Sequence, residues 1–161
     1  MTVSEPLVYF LDTSALVKRY HSERGSAVVQ QAFADSNVRR IISDISIIEV
    51  HSAFARRVRM GEIRQEDFYA VKAAFAVDIQ SGRLAVEALV DTDKVEAARL
   101  VERYGLSQEL RTLDALHLAI MKRLGTSRLH TVYCADRGLR AVLTAEGFTV
   151  INPEEPPPAL Q

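Results

Sequence analysis

The sequence predicts an α/β protein: a three-layer α/β/α sandwich built on a central parallel sheet of short strands. Three observations carry that expectation. Short runs of β-forming residues alternate with amphipathic stretches, the pattern of a parallel sheet covered by helices on both faces. The first run, Leu7-Val8-Tyr9-Phe10-Leu11, is apolar throughout, as a strand buried on both faces should be. Its character then changes within one residue, at Asp12-Thr13-Ser14, where a helix can open.

Taken in order, Thr13 to Tyr20 reads as a short helix, broken by His21-Ser22-Glu23-Arg24-Gly25. A second helix runs to about Ala34, with Val28, Val29, Ala32 and Phe33 as its inner face. Asp35-Ser36-Asn37 is a turn, and Ile41-Ile42 supplies a very short strand ahead of a helix start at Ser43-Asp44. From Ile45 to Met60, Ile47, Val50, Phe54 and Val58 form one stripe, and Gly61 ends that helix beside Arg56, Arg57 and Arg59. Phe68, Val71, Phe75 and Ile79 mark the next helix, closed by Ser81-Gly82. No strand separates these two helices, so a helical hairpin projecting from the sandwich is expected.

Leu84 to Leu89 is the next strand. Asp91-Thr92-Asp93 caps a helix with Val95, Ala98, Leu100 and Val101 inside. The helix from Leu113 to Leu124 presents Leu113, Leu116, Ile120 and Leu124 on one face. Thr131 to Cys134 is a strand, Arg137 to Glu146 a helix, and Phe148 to Ile151 the last strand. Residues 1–153 are expected to form one domain, and 154–161 a Pro-rich tail that cannot continue a sheet.

Composition bounds the function. The 161 residues, 48% hydrophobic and 25% charged, suit a water-soluble fold with a substantial core. No apolar run reaches the roughly 18–20 residues that span a bilayer. Residues 1–6 lack the basic and apolar regions of a secretory signal, and the lone Cys134 suits a reducing compartment, so a cytoplasmic location is expected. A net charge of -1 argues against a generally basic nucleic-acid binder. A local basic surface beside an acidic pocket is compatible with it.

The carboxylates give the strongest chemical signal. Asp12 follows the first strand, Glu49 lies one turn into the helix after the second, Asp114 opens its helix, and Asp136 follows the fourth strand. In a parallel sheet those ends share one edge, where open α/β folds bind ligands. Four carboxylates in one crevice repel one another, and a divalent cation resolves the conflict. An all-oxygen pocket suits Mg²⁺ or Mn²⁺, ions that orient water and neutralise a phosphate under attack. The implied chemistry is hydrolysis of a phosphoryl ester, with nucleic acid as the natural substrate. Each residue also has a structural reading: Asp12 and Asp136 as helix caps, Glu49 in a Ser46-x-x-Glu49 capping box, Asp114 as a helix-dipole partner. Four independent caps at one sheet edge are the weaker account of the set.

The stretches Phe10-Leu11-Asp12-Thr13-Ser14-Ala15-Leu16-Val17-Lys18, Ser46-Ile47-Ile48-Glu49-Val50, Leu113-Asp114-Ala115-Leu116-His117-Leu118-Ala119 and Ala135-Asp136-Arg137-Gly138-Leu139 together resemble the PIN-domain family. The resemblance is to VapC-type toxins of toxin–antitoxin pairs, and it extends from about Leu7 to Pro153. It implies a PIN-like fold and a Mg²⁺-dependent endoribonuclease. Asp12, Glu49 and Asp114 would be its acidic core, Asp136 the fourth carboxylate and Thr13 the supporting hydroxyl. It also implies an RNA substrate, a homodimer, and a small VapB-type antitoxin that inserts a basic side chain among the carboxylates. Ser43 is a further candidate to orient a carboxylate.

His21, His51, His117 and His130 have no metal-ligand spacing; His117, three residues after Asp114, is placed on a neighbouring helix face within reach of the site, but is read as a packing or surface residue. Lys18, Arg19, Arg56, Arg57 and Arg59 are candidates to contact RNA phosphates or antitoxin, with solvated helix faces as the default reading, and Cys134 is read as a small buried hydrophobe. Neither a P-loop nor a dinucleotide-binding glycine pattern is present. Two alternatives stand beside the nuclease: a PIN-like domain that binds RNA or antitoxin without cutting, and a receiver-like signalling domain with an acidic Mg²⁺ pocket.

Overall fold

In a computed structural model that describes residues 5–155, the first apolar run is strand β1 (Leu7–Leu11). It pairs in parallel with β2 (Val38–Ser43) on one side and with β4 (Thr131–Tyr133) on the other. β3 (Ala85–Glu87) extends the sheet beyond β2, and β5 (Val150–Ile151) extends it beyond β4. The order is β3-β2-β1-β4-β5, parallel throughout. Successive residues of a strand face opposite sides, so Phe10, Ile41 and Val132 point to one layer and Leu11, Ile42 and Tyr133 to the other. The first layer is α5 (Asp91–Tyr104), α6 (Thr112–Leu124) and α7 (Arg137–Ala145). The second is α1 (Thr13–Leu16), α2 (Ser26–Ala34), α3 (Ile45–Arg59) and α4 (Gln65–Gln80).

This is the three-layer α/β/α sandwich expected. The strand order differs from the 2-1-3-4-5 order of receiver-type folds, which removes the signalling alternative. The chain steps from β1 outward through β2 and β3, then returns to the other side of β1 with β4. The topological switch point therefore lies between β1 and β4, and the carboxyl ends of the strands there are where open α/β sheets form their ligand crevice.

Helix α6 anchors that crevice. Leu118, Ile120 and Met121 are fully buried and Ala115, Ala119 and His117 nearly so, which makes it a helix hydrophobic almost all round and hence internal. Each large buried side chain contributes about 1.5–3 kcal/mol, so the first turn of α6 is held firmly. The hairpin of α3 and α4 does not simply project: Val50, Phe54 and Phe75 belong to the core beneath the sheet.

Three local expectations change. The second strand is longer than Ile41-Ile42 because Arg40, buried at the strand start, donates to the carbonyls of Ala32, Phe33 and Asp35 at the end of α2. Its charge hid a strand residue. In α5 the buried stripe is Asp93, Ala97, Leu100 and Tyr104, whereas Val95 is 55% exposed. Asp93 is inside because Arg123 pairs with it at 2.9 Å. Leu113 is exposed; the inner face of α6 begins at Asp114 instead.

After β5, Pro153 is buried and the Glu154 carboxylate lies 2.6 Å from the buried Lys18 ammonium. The expected boundary at 153 thus falls inside a set of tertiary contacts. The rest of the expected Pro-rich tail, residues 156–161, lies outside the described residues, as do residues 1–4.

Candidate active site

Asp12 is delivered by β1 and sits on the switch point. Its backbone N–H donates to the Tyr133 carbonyl at 2.9 Å, which ties the end of β1 to the end of β4. Its Oδ2 accepts from the Ser14 N–H at 3.0 Å and from the Ser14 hydroxyl at 2.5 Å. Asp12 is therefore a helix cap and a crevice carboxylate at once. Ser14 Oγ also accepts from the N–H groups of Ala135 and Asp136, at 2.9 and 3.2 Å, so one hydroxyl fixes two of the four acids.

Glu49 arrives from α3. The capping-box reading fails: Asp44 holds the N-cap position, and Glu49 turns across the crevice instead. Its Oε2 accepts from the Thr13 hydroxyl at 2.5 Å and from His117 Nε2 at 2.6 Å. Burial raises the Glu49 pKa, but the His117 imidazole and the Thr13 hydroxyl outweigh it and hold the carboxyl below its usual value. An ionised Glu49 only accepts, so Nε2 of His117 carries the proton. The other ring nitrogen is 2.9 Å from Ser43 Oγ. Burial lowers the His117 pKa, and the bond to Glu49 with the charges of Asp12, Glu49 and Asp114 more than reverses this.

Asp114 stands in the first turn of α6 and Asp136 caps α7, accepting from the Leu139 N–H at 2.8 Å. Arg111 joins them. Its Nε is 3.1 Å from Asp114 Oδ2 and its second terminal nitrogen 2.8 Å from Asp136 Oδ2. The pKa of Asp114 is raised, first by burial and then by the charges of Asp12 and Asp136, against the lowering effect of Arg111.

The site at the carboxyl edge of the sheet holds these residues in two sets of contacts: Ser14 and Arg111 connect Asp12, Asp136 and Asp114, while Thr13 and His117 hold Glu49. Residues not anticipated as part of it are His117, Arg111 and Ser14. His117 is a buried partner of a carboxylate rather than a packing or surface histidine. Both it and Arg111 lie three residues from Asp114, a spacing that puts side chains on one helical face, and that was the available signal. Ser43 acts one step removed, through His117. Cys134 is fully buried beneath Asp12, and burial pushes its thiol pKa up, so it is no nucleophile.

The donor set fits a hard divalent cation. Among the described residues, Asp12 Oδ1, Glu49 Oε1 and Asp114 Oδ1 have no hydrogen-bond partner, while the second oxygen of each is pinned. Carboxylate oxygens of this kind are the hard donors that Mg²⁺ and Mn²⁺ take, with water completing the shell. Asp136 has both oxygens engaged. Among the described residues no three His, Cys, Asp or Glu side chains form a ready cage.

A parallel sandwich with acidic residues at its switch point belongs to the class of open α/β domains that bind ligands at the carboxyl edge of the sheet. Within it, the PIN domain family model matches residues 9–142, and the chain belongs to the PIN-domain family. The fold is similar to that of Mycobacterium tuberculosis VapC20, a Sarcin-Ricin loop cleaving toxin, at 19% identity and TM-score 0.67, covering 92% of this chain and 99% of that one. It is also similar to FitAB bound to an IR36 DNA fragment, at 16% identity and TM-score 0.64, covering 94% of this chain and 99% of that one. No curated protein matches the chain.

Proposed function

We propose that this protein is a metal-dependent endoribonuclease that hydrolyses RNA phosphodiester bonds as the toxin of a VapBC-type toxin–antitoxin pair. The observation that carries the reading is the position of Asp12, Glu49, Asp114 and Asp136 at the carboxyl ends of β1, β2 and β4 and the helices that follow, with three carboxylate oxygens free of hydrogen bonds among the described residues. Membership of the PIN-domain family and a fold shared with a cleaving toxin support it. Concentrated negative charge would hinder a domain that only bound RNA, so the non-cutting alternative has no advantage from these residues.

Asp12, Glu49 and Asp114 would hold Mg²⁺ or Mn²⁺, with Asp136 as the fourth carboxylate. When bound, the ion supplies Lewis-acid stabilisation of charge at the attacked phosphate. The protein's own side chains do the orienting. Ser14 fixes Asp12, and Thr13 and His117 fix Glu49, so little reorganisation is left for the moment of reaction. The same negative crevice suits a small VapB-type antitoxin that places a cationic side chain among the carboxylates. A cytoplasmic homodimer completes the proposal, each copy a single domain that extends past residue 153 to include Glu154. Among the described residues, no helix is long and apolar enough to cross a membrane.

The test is cleavage of RNA by the purified protein with and without added Mg²⁺. Chelator, Asp12→Asn and Asp114→Asn should each abolish cleavage while the far-ultraviolet circular dichroism stays unchanged. Wild-type rates in both variants would remove the proposed site.

A further inference from the structure

Arg111 precedes α6 and splits its guanidinium between two carboxylates from different elements, Asp114 and Asp136. An arginine paired for stability would commonly present its fork to one carboxylate. Its side chain is 63% exposed despite the two contacts, so it sits at the mouth of the crevice rather than in its floor. Its two carboxylate partners are 13% and 27% exposed, so the guanidinium is the member of each pair that faces solvent. Arg111 takes one oxygen of Asp136 and the Leu139 N–H takes the other.

We propose that Arg111 is a movable phosphate ligand, which leaves Asp114 and Asp136 for the RNA phosphate when a divalent cation neutralises those carboxylates. The inference rests on the nuclease reading and adds to it a substrate contact and its metal dependence. Four acids present a repulsive face to a phosphodiester, and Arg111 is the cation already among them. Guanidinium geometry matches two phosphate oxygens as well as it matches carboxylate. The move needs only side-chain rotation, because Arg111 lies before the buried first turn of α6 and no helix has to shift.

The experiment compares wild type, Arg111→Gln and Arg111→Lys in two readouts: Mn²⁺ affinity by calorimetry without RNA, and kcat and KM for a short RNA with Mg²⁺. Removing the parked cation should tighten Mn²⁺ binding in Arg111→Gln by about fivefold. It should also lower kcat/KM by about ten- to a hundredfold, the loss of a charged hydrogen bond to phosphate. Arg111→Lys keeps the charge but not the fork, so its Mn²⁺ affinity should stay near wild type and its kcat/KM fall between the two. It carries the test if the Gln variant does not fold. Unchanged or weaker Mn²⁺ binding in Arg111→Gln, or wild-type kcat/KM in either variant, would overturn the proposal. A wild-type protein that neither binds Mn²⁺ nor cleaves RNA would instead overturn the nuclease reading itself.

Discussion

His117 Nε2 lies 2.6 Å from Glu49 Oε2, a contact between α6 and α3 across 68 residues of chain. The same imidazole reaches Ser43 at the end of β2, so one buried ring connects a strand end, a helix and a crevice carboxylate. His117→Ala removes the partner that orients Glu49. Activity should fall by about 10–100-fold, the usual cost of losing a residue that orients a ligand. Stability should fall by about 1–3 kcal/mol, because Ser43 and Glu49 lose a buried partner. Steady-state cleavage and urea unfolding measure the two effects. A full rate in a destabilised protein would show that Glu49 needs no help from the ring.

How much of this was legible in the sequence depends on how far each residue's partners lie along the chain. Asp12 and Asp136 were readable because both cap the helix that follows their strand, a local relation. Glu49 is legible as a crevice acid only as one of the set, since its own local pattern is that of a capping box and its partners, Thr13 and His117, are 36 and 68 residues away. No short pattern encodes them. The sandwich was readable from alternating periodicities, but the order β3-β2-β1-β4-β5 was not, since it depends on which strands meet rather than on the composition of any one. In α5 the stripe was misplaced because it begins at an aspartate, and an aspartate is buried only when a distant arginine meets it.

That pair makes a stability prediction. Arg123 contacts Asp93, Glu87 and the Ala88 carbonyl, and the Asp93 side chain is 2% exposed. Arg123→Ala leaves a buried carboxylate without its cation, at a cost of about 3 kcal/mol, the low end for breaking such a pair because Arg123 is itself partly exposed. Combining Arg123→Met with Asp93→Asn should recover part of the loss, since the charge is gone while Asn can still accept from the Val90 N–H. Equal urea midpoints for the single and double variants would show that the unpaired charge is not the cause.

Glu146 gives the stability a pH dependence. Burial raises its pKa, but Lys122 at 2.7 Å and the Tyr104 hydroxyl at 2.6 Å more than offset that and hold the carboxyl below its usual value of 4.5. A depressed folded-state pKa means the unfolded chain binds the proton more readily. The stabilisation is therefore complete above pH 4.5 and is lost as pH falls through the folded-state value. Thermal melts of wild type and Glu146→Gln should differ by a constant amount above that pH, and the gap should close in acid. A gap that stays fixed in acid would assign the difference to packing.

Gly25 tests the clamp that follows β5. Its φ is +91°, and a Cβ there would lie 2.8 Å from the Pro153 carbonyl oxygen and 3.2 Å from the Glu154 nitrogen. Gly25→Ala meets both the left-handed strain, about 1–3 kcal/mol, and a backbone that must move away. Gly147 provides the control: its φ is +86°, yet nothing lies within 4 Å of its Cβ position. Gly147→Ala should therefore cost the strain alone, and Gly25→Ala measurably more in urea unfolding. The displaced segment carries Glu154, whose carboxylate pairs with buried Lys18 and whose carbonyl accepts from Arg24. Faster amide exchange at residues 152–155 should appear in Gly25→Ala and not in Gly147→Ala. Equal costs and equal exchange would mean that the segment yields freely and does not brace the turn after α1, two residues beyond the Leu16 that ends the helix of Thr13 and Ser14.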